Sequence, residues 1–423
     1  MSSTALPQPP GDRFALLCRL SQTFNSSLDL DEVLNRVMDE VIAVMHAERG
    51  FVMLHEADGS LAFRAARGMD QNTIDDPQFQ VSRSVVERVA REGQPISTSD
   101  AQSDARFSMR RSVTILGLRS ILCVPLKIKG RVSGVIYVDN RMQVGIFTQA
   151  ELELLSAIAS SAAIAIENAR LYQVAVDKGR LERELQMAHE VQASFLPQET
   201  PQVPGWEFVA RWRPAREVAG DYYDFILGGE GQLGLVIADV AGKGMPAALF
   251  MVLTRSIVRA SLARASSPAD GIAHVNQLIC ADSATGMFVT LFYALLDPVT
   301  GEFTYVNAGH NPPLLCKKGD PDPLTRLTRT GMALGIIEDT PFEQRTVTLH
   351  PGDFILFYTD GVTDAIDAQE REFGMQRLQR VILDHRHASA SDMVAGLEQA
   401  IDDFVGPTVP FDDIAIVVVR CLK

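Results

Sequence analysis

Cysteine is scarce in this chain: five in 423 residues, namely Cys18, Cys123, Cys280, Cys316 and Cys421. No two of them form a CxxC pair and the count is odd, so the sequence does not point to a disulfide framework. The thiols read as buried groups in a reducing compartment, which predicts a cytoplasmic protein. Positive charge is also in deficit, with 39 Lys and Arg against 53 Asp and Glu and a formal net charge of −14. No basic stripe interrupts that deficit. Contacts to a phosphodiester backbone require clustered Lys and Arg, so the balance argues against a nucleic-acid partner and against a two-metal nuclease. Long apolar runs are missing as well. No stretch reaches the ~20 apolar residues of a membrane helix, and Ala157–Ile166 is short and built of small side chains. The first ten residues carry Pro and Ser without an apolar core, so residues 1–12 are expected as a disordered tail rather than a signal peptide.

What is present is the composition of a globular protein long enough for two or three domains, 46% hydrophobic and 22% charged. Helical spacing runs through Phe14–Asn25 and Leu30–Met45. In the second, Leu30, Val33, Leu34, Val37, Met38, Val41 and Ile42 share one face, and Asp29 or Asp31 can cap its start. Strand-like runs Gly50–Leu54 and Leu61–Ala66 follow, then a helix at Ser84–Glu92, a polar loop at Ser97–Ser108, and strands Ser120–Ile128 and Val132–Asp139. A further helix opens near Thr148. This order, with Gly117–Leu126 and Gly134–Asp139 as its most characteristic stretches, resembles a GAF domain, a small sensory module. The resemblance implies an unidentified ligand, with Phe107, Met109 and Arg110 in or just after a loop that often lids a GAF pocket.

From Thr148 the helical pattern continues to about Phe195. Leu171, Val174, Lys178, Leu181, Leu185, Ala188, Gln192 and Phe195 follow an unbroken alternation of three and four residues. Such a heptad seam wants a partner helix, and the polar members Lys178 and Gln192 can fix register, so a parallel coiled-coil homodimer is expected. A single amphipathic helix lying on its own domain is the alternative. Gly179 is a weak point, and Pro197 ends the helix.

The remaining chain mixes strands and helices. Strand-like runs are Glu207–Trp212, Asp224–Leu227, Leu233–Val240, Met287–Leu296, Phe303–Ala308, Leu314–Lys317, Phe354–Thr359 and Ile414–Cys421. Helical runs are Ala247–Arg264, Pro268–Ser283, Gly374–His385 and Ser391–Phe404. Such a set suits an antiparallel sandwich covered by helices. Within it, four acidic positions sit at strand ends beside sharp turns: Asp221, Asp239, Asp360 and the pair Asp412-Asp413. Acids fixed this way suit hard divalent cations, which prefer oxygen ligands. If the four strand ends converge, they form a cage for two ions.

The ordered set Ala219-Gly220-Asp221-Tyr222-Tyr223-Asp224, Asp239-Val240-Ala241-Gly242-Lys243-Gly244, Met287-Phe288-Val289-Thr290-Leu291, Asn307-Ala308-Gly309-His310-Asn311-Pro312-Pro313, Thr359-Asp360-Gly361-Val362-Thr363-Asp364 and Asp412-Asp413-Ile414 resembles the metal-dependent (type 2C, or PPM) serine/threonine phosphatases. More narrowly it resembles their bacterial SpoIIE/RsbU branch. Ala219 stands where a second glycine is common. The resemblance implies an α+β multidomain chain: a GAF domain at 13–168, a coiled-coil linker at 169–197 and a PPM-type α/β sandwich at 198–423. It further implies two Mn²⁺ or Mg²⁺ ions, with Asp239 bridging, the Val240 carbonyl as an oxygen ligand, Asp221 on one ion, and Asp360 and Asp412 on the other. Asp413 joins this set, and Asp224 and Asp413 are candidates for supporting roles. The implied substrate is a phosphorylated protein, an anti-sigma-factor antagonist in the related systems. No covalent intermediate is needed, which agrees with the absence of a Cys-x5-Arg loop. Gly242-Lys243-Gly244 is not a P-loop, so Lys243 is expected as a solvated turn residue. His310 is expected to be structural rather than a general acid. A non-catalytic partner-switching scaffold is the competing reading, and the retained acids count against it.

Overall fold

The computed structural model describes residues 10–56, 58–68, 81–101, 104, 117–282, 286–320, 323–407 and 411–423. They form two compact units, Met1–Leu181 and Glu182–Lys423. Phe107, Met109 and Arg110 lie outside the described residues.

In the first unit, α1 (Pro10–Phe24) and α2 (Leu30–Met45) precede a five-stranded antiparallel sheet of order β2-β1-β5-β4-β3. Its strands are β1 (Arg49–His55), β2 (Leu61–Gly68), β3 (Ile96–Thr98), β4 (Ser120–Ile128) and β5 (Arg131–Asn140), with α3 (Arg83–Glu92) between β2 and β3. Alternation along β1 explains why both sheet faces are covered. Val52 and Leu54 join a core with Val33, Val37 and Val41 of α2. Phe51 and Met53 join a second core with Val85 and Val89 of α3. The Asp29 side chain accepts from Glu32 N at 2.9 Å, the expected cap of α2. Two expectations are corrected here. The first helix begins at Pro10, inside the stretch read as a tail, and β3 occupies the start of the stretch read as a polar loop. Three residues are too few for alternation to show.

Helix α4 (Gln149–Phe195) runs for 47 residues, and Gly179 does not interrupt it. Leu171, Val174 and Leu181 are all more than half exposed on it. Gln192 departs from the expected seam: it is 3% exposed and turned into its own unit. By length and mean hydropathy α4 and α5 (Met245–Leu262) are long and apolar enough to cross a membrane. Many of those apolar groups are packed instead, Leu155, Ile158 and Ala162 in one core and Ala247, Met251 and Val258 in another.

The second unit is a sandwich of two five-stranded sheets, β13-β10-β9-β8-β7 and β12-β11-β14-β15-β6. In chain order the strands are β6 (Trp206–Arg213), β7 (Tyr222–Leu227), β8 (Leu233–Val240), β9 (Val289–Leu296), β10 (Glu302–Ala308), β11 (Leu314–Cys316), β12 (Leu324–Arg326), β13 (Arg345–Thr348), β14 (Phe354–Tyr358) and β15 (Ile414–Cys421). Their pairings are antiparallel throughout. Leu233, Leu235 and Ile237 of β8 meet Ile355, Phe357 and Val417 between the sheets. The alternate residues Val236, Ala238 and Val240 pack outward on α5 and α6 (Pro268–Asp282). Leu356, Tyr358 and Ile416 pack outward on α8 (Gly374–Asp384) and α9 (Ala390–Val405). Burial on both faces accounts for the near-continuous apolar runs. The short α7 spans Asp360–Thr363.

Candidate active site

Strand register brings the acids together in pairs. In the β7–β8 ladder Tyr222 stands opposite Ala238, so one step further out Asp221 faces Asp239. In the β14–β15 ladder Tyr358 stands opposite Ile416. Two residues beyond Tyr358 the chain reaches Asp360, and two before Ile414 it reaches Asp412. Packing of the sheets then sets one pair against the other. A Cβ on Gly361 would lie 1.9 Å from the Asp413 carbonyl oxygen, so glycine alone permits this approach of the two strand ends.

The cluster is electrostatically costly. Asp221 is 2% exposed, and burial, then the charge of Asp239, drives its pKa well up, with Asp413 and Asp360 adding to the shift. The Thr359 side chain works in the opposite direction. Asp360 is pushed up to about 7, by burial first and then by Asp239 and Asp412. Burial also raises Asp239, where a hydrogen bond with Asp221 acts the other way. A hydrogen bond between two carboxyls needs a proton on one of them. Asp221 Oδ2 is buried with no hydrogen-bond partner. Among the described residues no three ligating side chains close on one point as they stand. Even so, the donor set is all oxygen, mutually repelling and partly orphaned, and it fits hard divalent cations.

Several neighbours differ from expectation. Lys243 is the exposed turn residue expected, but it is not free: its Nζ lies 2.7 Å from Asp412 Oδ2, donates to Phe411 O at 2.9 Å, and sits over the Phe411 ring. Asp413, expected among the ligands, accepts from Ala215 N and Gly220 N, each at 2.8 Å. Both oxygens thus brace the loop that carries Asp221. Asp224 takes no part in the cage. Its carboxylate is held by Arg259 at 2.6 and 2.8 Å and by Arg255 at 3.1 Å, on the helix side of β7.

His310 is buried, with Nδ1 2.8 Å from Thr290 Oγ1, and its backbone N–H donates to Asn307 Oδ1 at 2.9 Å. Thr290 pairs opposite Asp239, so His310 supports the strand behind the cage. Burial lowers its pKa from 6.5 to about 3, so it is neutral at working pH. A depressed histidine stabilises above its unfolded pKa, and that contribution is lost as pH falls from 6.5 towards 3. His310→Gln is therefore expected to reduce the acid-side slope of stability against pH by about one proton. Denaturant midpoints between neutral pH and the onset of acid unfolding read this directly. Equal slopes in the two proteins would remove the argument.

The end of α4 contributes Gln192, which the spacing assigned to the seam, and His189, which the sequence did not mark. Gln192 Nε2 donates to Ala219 O at 2.7 Å and its Oε1 accepts from Ala219 N at 3.0 Å. His189 Nδ1 lies 2.8 Å from Glu217 O, and its ring stacks on Trp212 at 5.6 Å. Trp212 Nε1 in turn donates to Asp221 O at 2.9 Å. The Asp221 loop is thus held by Asp413 and, independently, by the helix.

A family model described as Stage II sporulation protein E (SpoIIE) matches residues 229–422, and a GAF domain model matches residues 27–167. Protein IcfG of Synechocystis is 31% identical over 264 residues, 56% of this chain and 41% of IcfG. The chain thus spans less than half of that relative's length. The phosphoserine phosphatase RsbU of Bacillus subtilis is 31% identical over 245 residues, 57% of this chain and 70% of RsbU. Among solved structures, the SiaA-PP2C domain of Pseudomonas aeruginosa superposes with a TM-score of 0.53 at 21% identity, over 58% of this chain and 99% of that one. That likeness identifies the fold as PP2C-like. Taken with the match across most of RsbU, it follows that this chain belongs to the SpoIIE/RsbU family, with a GAF domain ahead of its PP2C-fold domain.

Proposed function

We propose that the chain is a metal-dependent protein serine/threonine phosphatase acting in the cytoplasm on a phosphorylated signalling partner. The observation that carries this reading is the register-driven gathering of Asp221, Asp239, Asp360 and Asp412 into one partly buried cluster. These four acids and the Val240 carbonyl would hold two Mn²⁺ or Mg²⁺ ions. Bound there, such ions lower the pKa of a water towards neutrality and offset charge on the phosphoryl oxygens during in-line attack. Asp239 faces Asp221 across the ladder and feels the charge of Asp412, which suits it to bridge both ions. Asp413 fixes the Asp221 loop, and Lys243 partners Asp412. RsbU and RsbP are phosphoserine phosphatases by name, which supports a phosphoserine substrate. An anti-sigma-factor antagonist is the partner we assign on that analogy.

The GAF domain would bind a ligand, and α4 would carry the signal into the phosphatase domain. A second copy of the chain fits the exposed seam of α4. An apolar groove of about 720 Å³ at its end, lined by Met187, Val191, Phe195, Met245, Leu249 and Leu253, continues that seam. Light scattering that reads only monomer would remove the homodimer from this picture.

The test is phosphate release by the full-length chain from p-nitrophenyl phosphate and from a phosphoserine peptide, with Mn²⁺ or Mg²⁺ added. Turnover that needs the metal and stops on chelation is expected. Metal binding without turnover would favour the non-catalytic scaffold, and inertness with every divalent cation would end the enzyme reading.

A further inference from the structure

At the other end of the second sheet the chain forms a recess of about 470 Å³, a size typical of small-molecule sites. It is walled by Cys316, Lys317, Lys318, Phe354, Arg386 and Arg420, with His387 and Asp320 also on its lining. Phe354 opens β14, whereas Asp360 follows its far end. Six residues of extended chain place the recess roughly 20 Å from the acid cluster. Nothing in the proposed hydrolysis uses it.

Its charge is the reverse of the chain's. Among the described lining residues, four cations, Lys317, Lys318, Arg386 and Arg420, stand with one acid, Asp320, in a protein of net charge −14. None of the four makes an ion pair among the described residues. A second described carboxylate nearby, Asp353, is already engaged by Lys318 N at 2.7 Å and His350 N at 3.0 Å. Arg420 is held in place: its guanidinium stands over the Phe354 ring at 5.8 Å, and Nη2 donates to Arg386 O at 3.2 Å. Its Nη1 is buried with no acceptor. Arg386 is steadied by its Nε donating to His387 Nε2 at 3.1 Å. A Cβ on Gly352 would lie 2.3 Å from Lys318 Cδ, so the lysine stem lies flat over bare backbone there. Two positioned guanidinium forks and two ammonium groups outmatch a carboxylate and suit a multiply charged phosphate.

We propose that this recess binds a small molecule bearing a phosphate or pyrophosphate group, at a site separate from the acid cluster. The test uses the full-length chain stripped of divalent metal with a chelator, so that the acid cluster cannot retain phosphate through an ion. Calorimetric titration with pyrophosphate is expected to show one saturable site that weakens as salt is raised. Arg386→Met and Lys318→Met, both at exposed positions, should each weaken that binding by about tenfold, and Arg420→Met by more. Inorganic phosphate titrated in parallel distinguishes a single phosphoryl group from a diphosphate as the preferred ligand. Absence of saturable binding at millimolar pyrophosphate, or unchanged binding in Arg386→Met and Lys318→Met, would overturn the assignment. Tighter binding of a phosphoserine peptide than of pyrophosphate at this site would overturn its small-molecule character. Metal-dependent phosphatase activity should be the same in all three variants, so this result and the proposed hydrolysis stand or fall separately.

Discussion

Asp239→Asn is expected to lower metal-dependent phosphate release by on the order of 10³-fold, because cation stabilisation of the reacting phosphoryl group amounts to several kcal/mol. Asparagine keeps the shape of the side chain and its place at the end of β8, so the ladder opposite Asp221 is preserved. What it removes is the charge that two cations would share. Stability should move the other way. Burial raises the Asp239 pKa above its ordinary value, so near neutral pH its ionised form opposes folding of the metal-free chain. A raised carboxyl costs stability as pH climbs through the folded pKa, and removing it relieves that cost. The melting temperature of the chelated variant should therefore equal or exceed that of the parent. Loss of activity together with an unchanged or raised melting temperature separates a ligand from a residue that merely supports the fold. Retention of more than a tenth of the parent's metal-dependent rate would show that Asp239 does not bridge.

The acids were legible because each lies in a local signature, an apolar run with an acid at its start or end beside a sharp turn. Their convergence followed only from the register of strands far apart in sequence. Asp224 shows where local reading stops. It lies three residues after Asp221, and with a period of two an odd offset turns a side chain to the opposite sheet face. Tyr223 and Phe225 point between the sheets, so Asp224 points outward to Arg255 and Arg259. The same parity accounts for Asp413. It shares a face with Ala415 and Val417 of the inner core, turns inward, and meets the backbone of the Asp221 loop. Lys243 and Asp412 lie too far apart in the chain for any pattern to pair them. The strands β12 and β13 are short and mostly exposed, so they carried no alternation to find.

Gln192 was misassigned for a different reason: a three-four spacing describes a helix face without saying what covers it. The sequence placed it on a dimer seam, whereas the structure closes its amide on both backbone groups of Ala219. Asp221 is two residues further on, braced from the other side by Asp413 through Gly220 N. Gln192→Met keeps the length and apolar stem of the side chain but leaves the Ala219 N–H and C=O without their partners. Groups that orient metal ligands typically cost 10–100-fold in metal affinity or activity when removed, and about that loss in Mn²⁺ affinity is expected here. Saturating Mn²⁺ should recover most of the rate, and the KM for p-nitrophenyl phosphate should change little, because substrate contacts are untouched. A residue that only pins α4 to the domain would lower the melting temperature while leaving Mn²⁺ affinity alone. Titration of activity against Mn²⁺ at fixed substrate tells the two apart. If the half-saturating Mn²⁺ concentration matches that of the parent, the end of α4 does not set the geometry of the Asp221 loop, and the proposed relay from the GAF domain through α4 falls.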